Sequence, residues 1–378
     1  MELLAPIGSK EALISAINNG ADAVYLGGQA FSARAEASIF TDEDLVNIIK
    51  YCHNLGVKVY ITVNTIIKET EFSEALKFVE FLYLNGVDAI IVQDLGLIMK
   101  VAKMFPQLVI HASTQVNVVS VKQALFLKSI GVRRIVLARE LSCEEIKKIK
   151  DETGLEIEVF VHGALCMSYS GNCFLSSLVG KRSGNRGRCA QPCRKKYQLS
   201  GFPDWKYYLS MKDLMSLDYL DRLQEIGIDS LKIEGRLKKD AYVGIVVRSY
   251  YRALHQELQG NEKKALLTIF NRQFTKGFLN GETNSLLTNT ASPNHQGIVC
   301  GKVVRITDKD VYIKLEETLN NNDSIRILGE NPDAITINNN MYYQDKIVAR
   351  GEKDMVVRIR THHLVTNAAT VLKTTDSA

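Results

Sequence analysis

No run of apolar residues in this 378-residue chain approaches the ~18 needed to cross a bilayer, so the sequence predicts no membrane span. The opening stretch MELLAPIGSKEAL lacks the basic patch and apolar segment of a secretory signal, and a cytoplasmic protein is expected. In such a reducing compartment, clustered cysteines point to metal or redox chemistry rather than to structural disulfides. Neither G-x-S-x-G nor H-E-x-x-H occurs, which removes the usual signatures of a serine hydrolase and of a zinc peptidase. The net charge of +5 is too small for a histone-like binder, but one local absence is larger than that total. Between Val159 and Pro203 there is no Asp or Glu, while Lys181, Arg182, Arg186, Arg188, Arg194, Lys195 and Lys196 all fall inside.

What is present is a repeating grammar. Short β-branched runs recur: ELLAPI, AVYLGG, KVYITVN, AIIVQD, LVIHAST, RIVLARE, IEVFVHG and SLKIEGR, each separated from the next by a helical stretch. Several follow a glycine that closes the preceding helix, as in NNGADAVYL and EIGIDSLKI. Near-continuous apolar strands fit a parallel sheet covered on both faces. Eight such units predict an α/β fold, a TIM-like (β/α)8 barrel over residues 1–285, with a basic, Cys-rich insertion at 166–206 between strands seven and eight. Short alternating runs such as GIVCGKVVRI and DMVVRIR predict a small all-β domain, barrel or sandwich, over 290–378. Barrel chemistry sits at the C-terminal strand ends, where Tyr25, Gln29, Asn64, Gln93, His111, Ser113, Gln115, Arg139, Glu140, His162, Lys232, Glu234 and Arg236 accumulate.

Four of the seven cysteines share the insertion, spaced C-x6-C-x15-C-x3-C at Cys166, Cys173, Cys189 and Cys193. Structural zinc sites usually pair ligands two to four apart at both ends, whereas iron–sulfur clusters take four thiolates at looser spacings. A 4Fe-4S cluster is therefore placed ahead of zinc, with the surrounding cations favouring thiolates. Cys52, Cys143 and Cys300 are isolated and read as small buried hydrophobes. The seven basic residues read as RNA phosphate contacts, and Tyr169, Tyr197 and Trp205 as candidates for stacking on an unpaired base. His162 is read as the proton-transfer group, its ring facing the cavity, because imidazole titrates near neutrality. Arg34, Lys232 and Arg236 read as cations for a carboxylate substrate.

The segments HASTQVNV, EVFVHGALCMSYSGNCFLSS, GNRGRCAQPCRKKY and LKIEGRLKKDAYV resemble peptidase family U32, the collagenase-like peptidases. That resemblance implies an oxygen-independent hydroxylase with a 4Fe-4S cluster, acting on tRNA wobble uridine, on a cytidine of 23S ribosomal RNA or on ubiquinone precursors, with prephenate as hydroxyl donor. The CAQPCR form is most similar to the ribosomal RNA branch. From their placement at the barrel mouth, catalytic roles are expected for His162, Glu158 and Glu234, donor or substrate binding for Arg34, His111, Gln115, Lys232 and Arg236, and cluster ligation for the four cysteines. Some relatives carry a cysteine after KDL where this chain has Met215, so Cys193 is expected to be the fourth ligand. Ribosomal RNA members are also longer, so the chain reads as a short paralogue or a fragment. The competing readings are a peptidase, with Cys166 and His162 as a thiol–imidazole pair, and a non-enzymatic RNA-binding or assembly factor; a partner chain stays open.

Overall fold

The computed structural model describes residues 1–34, 40–170, 172–258, 260–307, 310–328, 334–337, 340–360 and 365–375. Eight parallel strands, here β1 to β8, span Glu2–Pro6, Ala23–Gly27, Lys58–Val63, Ala89–Val92, Val109–Ala112, Arg134–Val136, Glu156–Ala164 and Ser230–Ile233. Each pairs with the next in chain order, and β8 pairs with both β7 and β1, so the sheet closes into the expected (β/α)8 barrel. Local sequence starts and stops the outer helices. Thr41 with Asp44 and Ser142 with Glu145 form capping boxes that satisfy the first N–H groups of helices Asp42–Asn54 and Cys143–Thr153. The helix Leu220–Ile226 ends at Gly227, whose φ of 79° is a left-handed value that other residues adopt only with strain.

Period-two alternation sends one set of side chains into the barrel. Leu4, Tyr25, Tyr60, Ala89 and Ile91 pack there as one apolar cluster. The same interior holds charge. Arg134 reaches Glu2 at 2.6 Å, Glu156 at 2.9 Å and Glu158 at 3.3 Å, and Glu158 also pairs with Lys232 at 2.8 Å.

The insertion leaves β7 and forms a short helix, Leu175–Gly180, and a two-stranded hairpin of Tyr197–Gln198 with Trp205–Lys206. It returns through Asp213–Met215, which lies antiparallel to the end of β7. The chain divides into two compact units, Met1–Leu258 with Phe274–Pro293, and Gln259–Gln273 with Asn294–Ala378. Backbone pairing takes the segments on either side of residue 273 in opposite directions. Phe274–Thr275 pairs with Asp213–Leu214 and Thr288 bridges Met211 in the barrel unit, whereas Asn271 bonds to the Gln296 backbone in the second. That second unit is all-antiparallel in its strands, with an eight-stranded sheet around Cys300, Val303, Ile313, Ile325 and Val357. No helix among the described residues is long and apolar enough to cross a membrane.

Candidate active site at the mouth of the barrel

Glu234 follows β8 directly and gathers the arginines of the mouth. Its carboxylate accepts from Arg139 at 2.8 Å and Arg34 at 3.4 Å. Burial raises the carboxyl's affinity for a proton, but the opposing fields of Arg34, Arg139, Arg236 and Lys232 prevail and hold it down at about 2. Glu234 is therefore a fixed anion at neutral pH, suited to placing arginines rather than to exchanging protons. The Arg139 guanidinium lies 3.8 Å over the Phe160 ring, and its Nε is buried without a partner among the described residues. The Tyr25 hydroxyl donates to the Ile233 carbonyl at 2.8 Å and is thereby tied to β8.

Arg236 differs from its neighbours. It is 5% exposed, yet among the described residues its Nη1 donates only to hydroxyls, Ser32 Oγ at 2.9 Å and Thr62 Oγ1 at 3.1 Å. Burial lowers its affinity for a proton to about 10, against the fields of Tyr25 and Glu234, so it stays charged at neutral pH. A buried guanidinium held by neutral groups is suited to an incoming anion. Gly8 makes room for this arrangement, since a Cβ there would lie 1.8 Å from the Arg236 carbonyl oxygen. Around the rim, Asn64 accepts from the Ala33 N–H at 2.9 Å and donates to Ser113 at 3.3 Å, and Gln93 donates to the Gln115 carbonyl at 3.2 Å. The side-chain oxygens of Gln93 and Gln115 are buried without a partner among the described residues.

Other candidates lie elsewhere. His111 is buried inside the barrel, edge-on to Tyr60 at 4.7 Å; burial, with Arg134, Lys232 and Lys58 adding to it, pushes its pKa well below the usual imidazole range. Glu158 is fully buried and divides its two oxygens between Lys232 and Arg134, so neither Glu158 nor Lys232 is set apart for substrate. The orientation expected for His162 is corrected. Between Lys232–Phe160 and Ile233–His162 the register of β7 slips by one residue, and this bulge re-aims the ring. His162 packs against Tyr242 and Tyr250 of the helix Asp240–Leu254 and against Phe274, bonds neither Glu158 nor Glu234, and is lowered to about 3 by burial. Ser32 and Thr62, which hold Arg236, were not legible in the sequence; Thr62 is one polar residue in the apolar run KVYITVN.

All four insertion cysteines are free thiols in one neighbourhood. Cys193, raised chiefly by burial, feels Cys166, Cys189 and Cys173; Arg34 feels Cys166 and Cys189; and a Cβ on Gly184 would touch both Cys189 and Cys173. Among the described residues no three His, Cys, Asp or Glu side chains converge on a single ion. Four thiols near cations are the donor set that a four-iron cluster would need, each thiolate on a different iron, and zinc stays the alternative. The seven basic residues separate into two groups. Arg186 docks the insertion through Glu71 at 2.7 Å and the Ile66 carbonyl, and Arg194 ties it inward through Ser210 and the carbonyls of Met211 and Leu165. Arg182 bonds the Arg188 carbonyl, while Lys181, Arg188, Lys195 and Lys196 are exposed, and so are Tyr169, Phe174, Phe202 and Trp205 of the same stretch of chain, at 56–63%.

The sequence profile of peptidase family U32 matches residues 8–289. The chain belongs to peptidase family U32. This U32 chain is 35% identical over 347 residues to the 23S rRNA 5-hydroxycytidine C2501 synthase of Escherichia coli K12, covering 87% of the chain and 52% of that enzyme. It is 38% identical over 264 residues to tRNA hydroxylation protein P1 of Bacillus subtilis 168, covering 67% and 63%. It is 35% identical over 395 aligned positions to a Methanocaldococcus jannaschii protein named as an uncharacterized protease, covering 97% and 96%. The chain thus spans about half the length of the E. coli enzyme and nearly all of the archaeal U32 protein.

Proposed function

We propose that this U32 chain is an RNA hydroxylase that carries a 4Fe-4S cluster on Cys166, Cys173, Cys189 and Cys193 and uses prephenate as hydroxyl donor. The observation that carries the reading is the grouping of four free thiols, two of which, Cys166 and Cys189, lie in the field of Arg34, which itself bonds Glu234 at the barrel mouth. Relatives named as ribosomal RNA and tRNA hydroxylation proteins support the reaction class. When bound, the cluster supplies one-electron chemistry.

The chain's own residues do the rest. Arg236 and Arg34 engage the donor's two carboxylates, Arg236 because no carboxylate among the described residues pairs with it and Arg34 because its guanidinium, 36% exposed, stands beside Glu234 at the same mouth. Glu234 keeps Arg139 and Arg34 in place, and Lys232 and Glu158 stiffen the barrel below. Lys181, Arg188, Lys195 and Lys196 meet phosphates, and Tyr169 and Trp205 stack on the unpaired base.

The test is a strain lacking the gene, its 23S rRNA and tRNA nucleosides compared with wild type by mass spectrometry. A missing hydroxycytidine, restored by the intact gene but not by Cys193→Ser, supports the reading; a missing hydroxyuridine moves the substrate to tRNA. Unchanged nucleosides, or a colourless and iron-free protein after anaerobic purification, refute it.

A further inference from the structure

The second unit carries a face that the barrel chemistry does not use. One cross-strand row of its large sheet, running from Ile298–Ile306 through Asp310–Leu315, Val356–Arg360 and Met341–Tyr343 to Lys346–Val348, reads Arg305, Tyr312, Arg358, Tyr342, Ile347. The alternating partners Val303, Val311, Ile313, Val357 and Ile359 fill the core, so the row lies on the opposite, solvent side. Arginine and tyrosine rungs interleave: the Arg305 guanidinium lies 3.7 Å over Tyr312 and that of Arg358 lies 4.3 Å over Tyr342. The neighbouring rungs add the exposed Lys302, Lys314 and Arg360. Asp310 on this face pairs with Arg358 at 3.0 Å and Arg360 at 3.5 Å, and the exposed Asp345 reaches Arg358 at 3.5 Å. Lys302, Arg305 and Lys314 have no carboxylate within ion-pair distance among the described residues.

We infer that this face binds single-stranded RNA. Five cations against these two carboxylates favour a polyanion, and a sheet that interleaves planar cations with aromatic rings offers stacking surfaces that only unpaired bases reach. An acidic protein partner would satisfy the charge but would leave the ladder of rings without a role. The inference does not depend on which reaction the barrel performs.

The test uses the full chain, a fluorescent 12-nucleotide single-stranded RNA of mixed sequence and anisotropy titrations over a range of salt. The variant Lys302→Gln/Arg305→Gln/Lys314→Gln changes only exposed side chains. It is expected to bind ~10-fold more weakly and to flatten the plot of log affinity against log salt by about two, at about 0.7 for each phosphate left unneutralised on a single strand. Tyr312→Leu/Tyr342→Leu should weaken the single strand while leaving affinity for a duplex of equal length unchanged. Wild-type affinity and slope in the triple variant, with binding abolished instead in Lys195→Gln/Lys196→Gln, overturn the inference and make the insertion the RNA-binding element. Equal affinity for single strand and duplex in wild type overturns the stacking role.

Discussion

Replacing Glu158 by Gln removes one charge from the barrel interior while keeping its size. Arg134 retains Glu2 at 2.6 Å and Glu156 at 2.9 Å, so the loss falls on Lys232, whose only ion-pair partner among the described residues, at 2.8 Å, disappears from a site 4% exposed. Breaking a buried pair on one side costs about 3–5 kcal/mol, because the remaining charge is left uncompensated. At 2–4 °C per kcal/mol for a unit of this size, the melting temperature falls by about 6–20 °C. The pH dependence has a fixed sign. Burial already lowers Lys232 below its usual value of 10.5 despite Glu158. Between the folded and unfolded values the unfolded chain binds more protons, so stability rises with pH, and the variant widens that window downward. The deficit of Glu158→Gln, measured by urea denaturation at pH 7 and pH 9.5, should therefore shrink at the higher pH. Glu158→Leu/Lys232→Met removes both charges and should recover most of the loss and retain hydroxylation. A Glu158→Gln protein as stable as wild type would refute the buried-pair argument, and a well-folded but inactive double variant would return these residues to the catalytic group.

Arg236→Ala should abolish hydroxylation without changing iron content, and Arg236→Lys should restore little, since a point charge cannot replace the fork held by Ser32 and Thr62; iron lost from either variant would reassign the residue to the cluster. His162→Asn should keep activity, and should flatten the fall in stability as pH drops from about 6.5 to 3, because only the unfolded state then protonates this histidine. Activity lost from a stable His162→Asn protein would contradict the packing seen around the ring. Arg186→Ala and Glu71→Gln should each expose the insertion to limited proteolysis, with a combined effect no larger than either alone; additive effects would show that the pair does not dock it.

The elements and their order follow from short windows of the chain. Strands such as AIIVQD are announced by local apolar runs, and helix ends such as Gly227 by conformational demands that act within a few residues. The four cysteines and the acid-free stretch are equally local, and so the insertion was legible. Folding in three dimensions settles a different question, which polar residues are consumed by one another. Lys232 and Arg236 are both cations at the end of β8, yet Lys232 meets Glu158 from 74 residues away and Arg236 meets the hydroxyls of Ser32 and Thr62. Arg186 and Lys195 look alike in sequence, but a loop 115 residues distant claims Arg186 through Glu71. His162 turns away from the expected cavity because the bulge exists only in the pairing of β7 with β8. In each case the deciding quantity is the distance between side chains brought together by closure of the barrel, and no window of sequence contains it.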